Sequence, residues 1–261
     1  FDRLDHFILL DKLNKFGLAD SLINLLSSYL IGRSQSVTCS NVSSVNINVS
    51  SGVPQGTILG PLLFIIFIND ISENIESSCL LYADDMKLFR RVNCVSDYLK
   101  LQNDLNLVSD WCTKNLLPLN VEKCNMMSFS LKHNVSNFDY KLENTVLNRI
   151  DKRKDLGVVF DSKLSFSYHY DHIVSAASKS LGFIIRNSKH FSNCDTLLRL
   201  YCSFVRSKLE FASTIWSPGY NVHCVNIENV QRRFLKYLHV KKYGFYPERG
   251  FPQEVLKIVV S

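Results

Sequence analysis

The chain reads as an α+β protein in two parts: an antiparallel sheet backed by helices over residues 1–168, then a purely helical segment over residues 169–261. Three observations carry that expectation. Between residues 34 and 164, short stretches alternate apolar and polar residues around Asn, Asp and Gly, the pattern of hairpins. Among them lie windows with apolar residues three and four apart, the helical period. From about Ser167 onward only the helical period remains.

Each element follows from the same patterning. Residues 7–30 have helical periodicity with a break near Gly17. Residues 34–49 alternate Val and Ile with Ser and Asn about Asn41, which predicts a hairpin. Pro61 opens a strongly apolar run to about residue 75, a buried helix, and proline suits its first position. Residues 79–92 form a second hairpin. Residues 97–115 form an amphipathic helix with Leu101, Leu105, Val108 and Trp111 or Cys112 on one face. Residues 121–131 and 141–147 read as strands, and 150–164 as a third hairpin. Residues 196–211 and 225–239 are helical. No internal repeat or low-complexity stretch interrupts the series.

The second hairpin carries chemistry. SSCLLYADDMKLFRR, residues 77–91, sets Asp84 and Asp85 at the turn between alternating flanks. A tight turn would hold both carboxylates at one sheet edge, where their repulsion calls for a cation. Hard oxygen ligands of this kind suit Mg²⁺, which binds through one or two carboxylates and the phosphates of a substrate. Taken alone, the pair reads better as an ordinary solvated turn. Upstream, SGVPQGTILGP places Gly52, Gly56 and Gly60 at every fourth residue with Pro54 and Gln55 between. That is a backbone-dominated loop, open to close approach by another chain. It enters the buried helix through its N-terminus, where free N–H groups suit an anion. A structural turn before a core helix explains the same glycines.

Composition narrows the class. With 261 residues, 10 Gly and 6 Pro, the chain can build a proper core and is not a disordered segment. The most apolar stretch, residues 62–68, is far shorter than the roughly 20 residues needed to span a bilayer. No secretory leader pattern is visible. The eight cysteines contain no Cys-x-x-Cys pair, which argues against a zinc site and for reduced, mostly buried thiols inside the cell, in nucleus or cytoplasm. His169 and His172 read as surface histidines at the start of a helix. Charge is one-sided: residues 1–169 carry a net −1 and residues 170–261 a net +7. Basic residues interleave with aromatics there, notably Arg232, Arg233 and Lys236 with Phe234 and Tyr237, as on a phosphate-tracking surface. A solvated helix face is the plainer account of that run by itself.

Taken together, SGVPQGTILGPLLF followed by LLYADD resembles the reverse transcriptase domain of jockey-like non-LTR retrotransposons. FDRLDH, residues 1–6, is similar to the tail of that family's first catalytic motif. LNVEK, residues 119–123, is similar to its lysine-bearing motif, and KDLGVVFDSKLSF, residues 154–166, to its primer-grip hairpin. The resemblance implies a right-hand polymerase palm, with part of the fingers, over residues 1–168, and a helical thumb over 169–261. It implies RNA-directed DNA polymerase activity with two Mg²⁺ ions, or Mn²⁺, and with an RNA template, a DNA primer and deoxynucleoside triphosphates as partners. Asp84 would be the main metal ligand of this chain and Asp85 a weaker one, with Lys123 beside the triphosphate. Phe1 would gate the sugar. Pro54, Gln55, Gly56 and Tyr82 would line the nucleotide and template side, Leu156 and Gly157 the primer end, and Arg232, Arg233 and Lys236 the duplex.

In the family a further metal-binding aspartate lies upstream of the motif's phenylalanine, which is Phe1 here. Asp2 belongs to the motif but is not that ligand. The expectation is therefore a fragment of a longer reading frame, without activity on its own. A retrotransposon relic or co-opted domain that binds nucleic acid without catalysis is the alternative. A group II intron maturase or telomerase is a third, against which the FDRLDH start and the NVQRRFLKYL segment speak.

Overall fold

The computed structural model describes residues 1–131, 138–217 and 220–247. Its contacts divide the chain into two units, Phe1–Met126 with Ser136–Arg149, and Met127–Val135 with Ile150–Ser261. The elements are a mixture of helices and short strands, as an α+β chain requires. Among the described residues the strands pair in twos, in separate hairpins or ladders.

In the first unit, helix α1 (His6–Lys15) starts at Asp5, whose carboxylate accepts from the N–H groups of Phe7 and Ile8 at 2.9 and 3.0 Å. Gly17 takes φ +82° beyond its end, where a left-handed residue stops a helix cheaply. Helix α2 (Asp20–Leu30) follows and packs back on α1. Strands β1 (Ser34–Gln35), β2 (Thr38–Cys39), β3 (Val42–Ser43) and β4 (Ile47–Asn48) form an exposed ribbon, β1 on β4 and β2 on β3, turning at Ser40 and Asn41 with positive φ. The hairpin expected around Asn41 is present.

Helix α3 (Leu59–Ile68) is apolar on every side and buries Leu63, Phe64, Phe67 and Ile68 against Leu9, Leu13, Leu26 and Leu30. Pro61 sits in its first turn, where an absent N–H costs nothing. Strands β5 (Ser78–Tyr82) and β6 (Asp85–Phe89) form the acid-bearing hairpin, followed by helix α4 (Val95–Lys114). Lys12 is only 8% exposed. Its ammonium donates to the Phe67 carbonyl at 2.7 Å, pairs with Asp70 at 2.6 Å, and lies over the rings of Phe67 and Trp111. Burial lowers its pKa, and Asp70 opposes that shift.

Residues 121–131 do not form the expected strand. The Asn120 side chain accepts from the Lys123 N–H and winds Val121–Lys123 into a 3-10 turn, a local bond that competes with any ladder. What remains is strand β7 (Asn125–Met126). Residues 141–147 likewise form not one strand but a tiny hairpin, β8 (Lys141–Leu142) and β9 (Thr145–Val146), because Glu143 turns the chain with φ +54°. Strand β10 (Asn148–Arg149) then pairs parallel with β7.

The second unit opens with strands β11 (Lys152–Asp155) and β12 (Val158–Asp161), an antiparallel hairpin closed by Leu156 and Gly157. Asp161 shapes the exit. It accepts from the N–H groups of Lys163, Ser165 and Phe166 at 3.0, 3.1 and 2.8 Å, and from the Ser165 hydroxyl at 3.1 Å. Burial raises its pKa, but the N–H groups of Ser165, Lys163 and Phe166 outweigh burial and hold it below the usual carboxylate range.

Helices α5 (Ser167–Asn187), α6 (Cys194–Tyr201), α7 (Ser207–Glu210), α8 (Ser213–Trp216) and α9 (Asn221–Tyr243) complete the unit, with a π-helical turn at Cys202–Arg206 joining α6 to α7. Ala177, Leu181 and Ile184 of α5 pack against Leu197 and Tyr201 of α6 and against Val230, Phe234 and Leu238 of α9. Tyr201 stacks on Phe234 at 4.1 Å. Its hydroxyl is pushed up to about 12, chiefly by burial.

Two further expectations change. His169 is not a surface residue: it is 1% exposed, and its Nδ1 accepts from the Val159 N–H at 3.2 Å. His172, one turn on, is exposed as expected. All eight cysteines are free thiols, but only Cys112 is buried.

Candidate functional site

The first-motif tail is laid along the glycine loop. The Gly52 N–H donates to the Leu4 carbonyl at 2.7 Å and the Val53 N–H to the Phe1 carbonyl at 3.1 Å. The Ser51 hydroxyl donates to the Asp2 carbonyl at 3.0 Å, and His6 Nε2 to the Gly52 carbonyl at 2.7 Å. Gly52 has φ +88°, and a Cβ there would lie 2.7 Å from the Asp2 Cα. Both the dihedral and the space demand glycine. The close approach expected of this loop is thus made by the chain itself.

That contact orders two candidate residues. The Gln55 side-chain amide donates to Asp2 Oδ1 at 2.7 Å on the surface, which leaves the Gln55 carbonyl oxygen open. Phe1 rests one side of its ring on the buried Phe64, centroids 4.6 Å apart, and remains 42% exposed. Pro54 accepts from the Thr57 hydroxyl at 2.8 Å, and that hydroxyl accepts from the Gly60 N–H. Thr57 therefore occupies an amide at the start of α3 that sequence reasoning left free for an anion. Gly56, at φ +75°, faces open space.

The hairpin β5–β6 brings Asp84 and Asp85 to its tip. Tyr82 pairs with Asp85 across a two-residue turn of Ala83 and Asp84, and Ala83 has φ +50°. A left-handed alanine costs about 1–2 kcal/mol, strain of a kind that gathers at functional sites. Tyr82 is 64% exposed, and both aspartates are exposed. No hydrogen bond or ion pair among the described residues engages either carboxylate.

The hairpin's base is fixed by residues that sequence reasoning did not single out. Asp104 of α4, 1% exposed, accepts from the N–H groups of Glu76 and Ser77 at 3.1 and 2.9 Å. Arg90, just past β6, reaches Asp97 at 3.9 Å, Asp104 at 4.0 Å and Glu76 at 3.6 Å. Asp104 lies between Leu101 and Leu105 in the apolar register, and a carboxylate in that position was the available signal.

Two open carboxylates on one tip are a donor set for a hard cation shared with substrate phosphates. Among the described residues no group of three or more His, Cys, Asp or Glu side chains could enclose a metal, so the pair suits a shared ion rather than a protein cage. Lys123 ends the 3-10 turn and is exposed. Among the described residues no hydrogen bond or ion pair joins it to the hairpin tip or to the glycine loop.

The remaining candidates belong to the second unit. Leu156 and Gly157 close β11–β12 with φ +43° and +92°. Positive φ at both positions is the hairpin turn whose twist matches the strands. On α9, Val230, Phe234, Leu235 and Leu238 are buried, which turns Arg232 and Arg233 outward. Lys236 is half-buried and lies 5.5 Å from the Tyr246 ring centre.

Comparison with known proteins gives a consistent picture. Residues 1–185 match the family described as reverse transcriptase (RNA-dependent DNA polymerase). The chain is 28% identical over 241 residues, 89% of its length, to the "Probable RNA-directed DNA polymerase from transposon X-element" of Drosophila melanogaster. It is 31% identical over 179 residues, 65% of its length, to the "Probable RNA-directed DNA polymerase from transposon BS" of the same species. It is 26% identical over 249 residues, 90% of its length, to the "RNA-directed DNA polymerase from mobile element jockey" of Drosophila funebris. These matches cover 26%, 20% and 27% of the relatives, so the chain spans about a quarter of their length or less. No described helix is long and apolar enough to cross a membrane.

Proposed function

Because the chain belongs to the reverse transcriptase (RNA-dependent DNA polymerase) family, we propose that it forms the palm, with part of the fingers, and the thumb of a right-hand polymerase that copies RNA into DNA for a jockey-like retrotransposon. The observation that carries this reading is the strained hairpin tip, which presents Asp84 and Asp85 free of any described partner within the family-matched residues.

Asp84 is the principal metal-binding carboxylate of this chain and Asp85 the weaker one. When bound, two Mg²⁺ ions, or Mn²⁺, would lower the barrier to attack by a primer 3′-hydroxyl and neutralise charge on the leaving pyrophosphate. The chain's own residues do the positioning. Phe1, backed by Phe64, offers the exposed side of its ring as a wall that a ribose 2′-hydroxyl would strike. Asp2 fixes the amide of Gln55, which with Pro54, Gly56 and Tyr82 lines the nucleotide and template side. Lys123 supplies a cation for the triphosphate. Leu156 and Gly157 meet the primer end. Arg232, Arg233 and Lys236 hold duplex phosphates, which suits the basic residues 170–261.

Binding of an RNA–DNA primer–template, measured against salt, tests the reading. Affinity should fall steeply as salt rises, because each neutralised phosphate releases counterions. Arg232→Glu with Arg233→Glu should flatten the slope. With Mg²⁺ and the complementary deoxynucleotide present, the complex should tighten, and Asp84→Ala should remove that gain. A salt-insensitive complex that ignores Asp84 would refute the proposal.

A further inference from the structure

The hairpin turn proposed to meet the primer end does not stand alone. Gly157 lies so close to Phe211 that a Cβ built on it would be 2.7 Å from the ring's Cε1 and 3.3 Å from Cζ. The ring thus presses on the backbone of the turn. It is not a core residue, since 54% of it is exposed. Leu156, beside it, holds φ +43° and is 49% exposed. A leucine in the left-handed region is strained, and such a conformation persists only where its surroundings determine it.

Phe211 is itself anchored through a closed set of contacts. Its carbonyl accepts from Trp216 Nε1 at 2.8 Å, and Trp216 is 2% exposed. The Tyr170 hydroxyl donates to the Trp216 carbonyl. Tyr170 and His169 both meet the Trp216 ring edge-on, with centroids 5.5 and 5.1 Å away. His169 Nδ1 accepts from the Val159 N–H, which returns the circuit to the same hairpin two residues past Gly157. The second strand of the hairpin is thereby held by His169, one pair from the turn, and the turn itself by Phe211. A simple core needs the buried Trp216, but it has no need of a half-exposed ring against the turn.

We infer that Phe211 is a positioning residue, which sets the height and angle of the Leu156 and Gly157 turn and so the placement of the primer 3′ end. This rests on the polymerase reading above. Phe211 touches neither nucleotide nor metal in this account and acts through the turn alone. Gly157→Ala would push against the ring, whereas Gly157→Ala with Phe211→Ala removes the obstacle and leaves only the cost of a left-handed alanine.

The test uses the full chain and a primer–template with the fluorescent base 2-aminopurine at the primer terminus, which reports local stacking separately from overall affinity. Phe211→Ala should lose the terminal fluorescence change while duplex affinity and thermal unfolding stay as in the wild type. Phe211→Tyr should retain the change. Gly157→Ala should lose it and unfold more readily, and the double variant should regain stability but not the change. An undiminished terminal signal in Phe211→Ala would overturn the inference. So would a parallel loss of affinity and unfolding cooperativity, which marks a purely structural ring. A wild-type chain with no duplex affinity would instead fail the polymerase reading and take the inference with it.

Discussion

Replacing Gly52 by alanine should release the first-motif tail from the glycine loop, while the same change at Gly56 should not. At Gly52 the new Cβ would lie 2.7 Å from the Asp2 Cα and 2.8 Å from the Asp2 carbonyl carbon and oxygen, all backbone atoms that cannot turn aside. The left-handed φ of +88° adds about 1–2 kcal/mol for a residue with a Cβ. Crowding against fixed neighbours adds about 1–3 kcal/mol more. A total of about 2–5 kcal/mol is therefore expected, partly as loss of the His6 Nε2 bond to the Gly52 carbonyl. Gly56 also has positive φ, +75°, but nothing lies within 4 Å, so only the dihedral cost of about 1–2 kcal/mol applies. Hydrogen exchange across a urea series, read on peptides from His6–Lys15 and from Ser167–Asn187, separates the two units. The first peptide should lose protection in Gly52→Ala and the second should not. Equal effects of the two alanines would refute the claim that close approach, rather than the turn alone, selects glycine at Gly52.

Two other perturbations follow from buried carboxylates. Asp104→Ala strips the acceptor from the N–H groups of Glu76 and Ser77 and leaves Arg90 facing a vacant partner, for a loss of about 3 kcal/mol in urea unfolding of the first unit; Asp104→Asn, which keeps one acceptor oxygen, should lose less. Asp161 should give the second unit an acid-sensitive step. Its folded pKa lies below the unfolded value of about 3.9, so its contribution is complete above that value and is lost as pH falls through the folded pKa. An acid titration of exchange in the first turn of α5 should show the step, and Asp161→Asn should remove it.

Much of the fold was legible because periodicity and turn residues agree. The break at Gly17, the ribbon turning at Asn41, the acid hairpin and the helix Val95–Lys114 all occur where pattern alone put them. Residues 121–131 misled because alternation cannot reveal a side chain bonding its own backbone, as Asn120 does. Lys12 and Asp104 drew no reading from the pattern, and His169 was misread as a surface residue, all for one reason. Each is a polar residue buried by a partner distant in sequence, respectively Asp70, Glu76 with Ser77, and Val159. Of the site, the acids and the glycine loop were readable as types. The grip of Asp2 on Gln55 and of Phe211 on Gly157 was not, since both are tertiary contacts with no periodic signature.

The most direct test of the central claim is single-nucleotide extension of a DNA primer on an RNA template, by the chain grafted in place of the matching segment of a jockey-like relative. Extension should require Mg²⁺ or Mn²⁺ and should be lost in Asp84→Ala, because phosphoryl transfer relies on metal electrostatics and positioning. Asp85→Ala should slow it less. Phe1→Ala should continue to extend but admit ribonucleotides. Full extension by the Asp84→Ala protein would contradict the account.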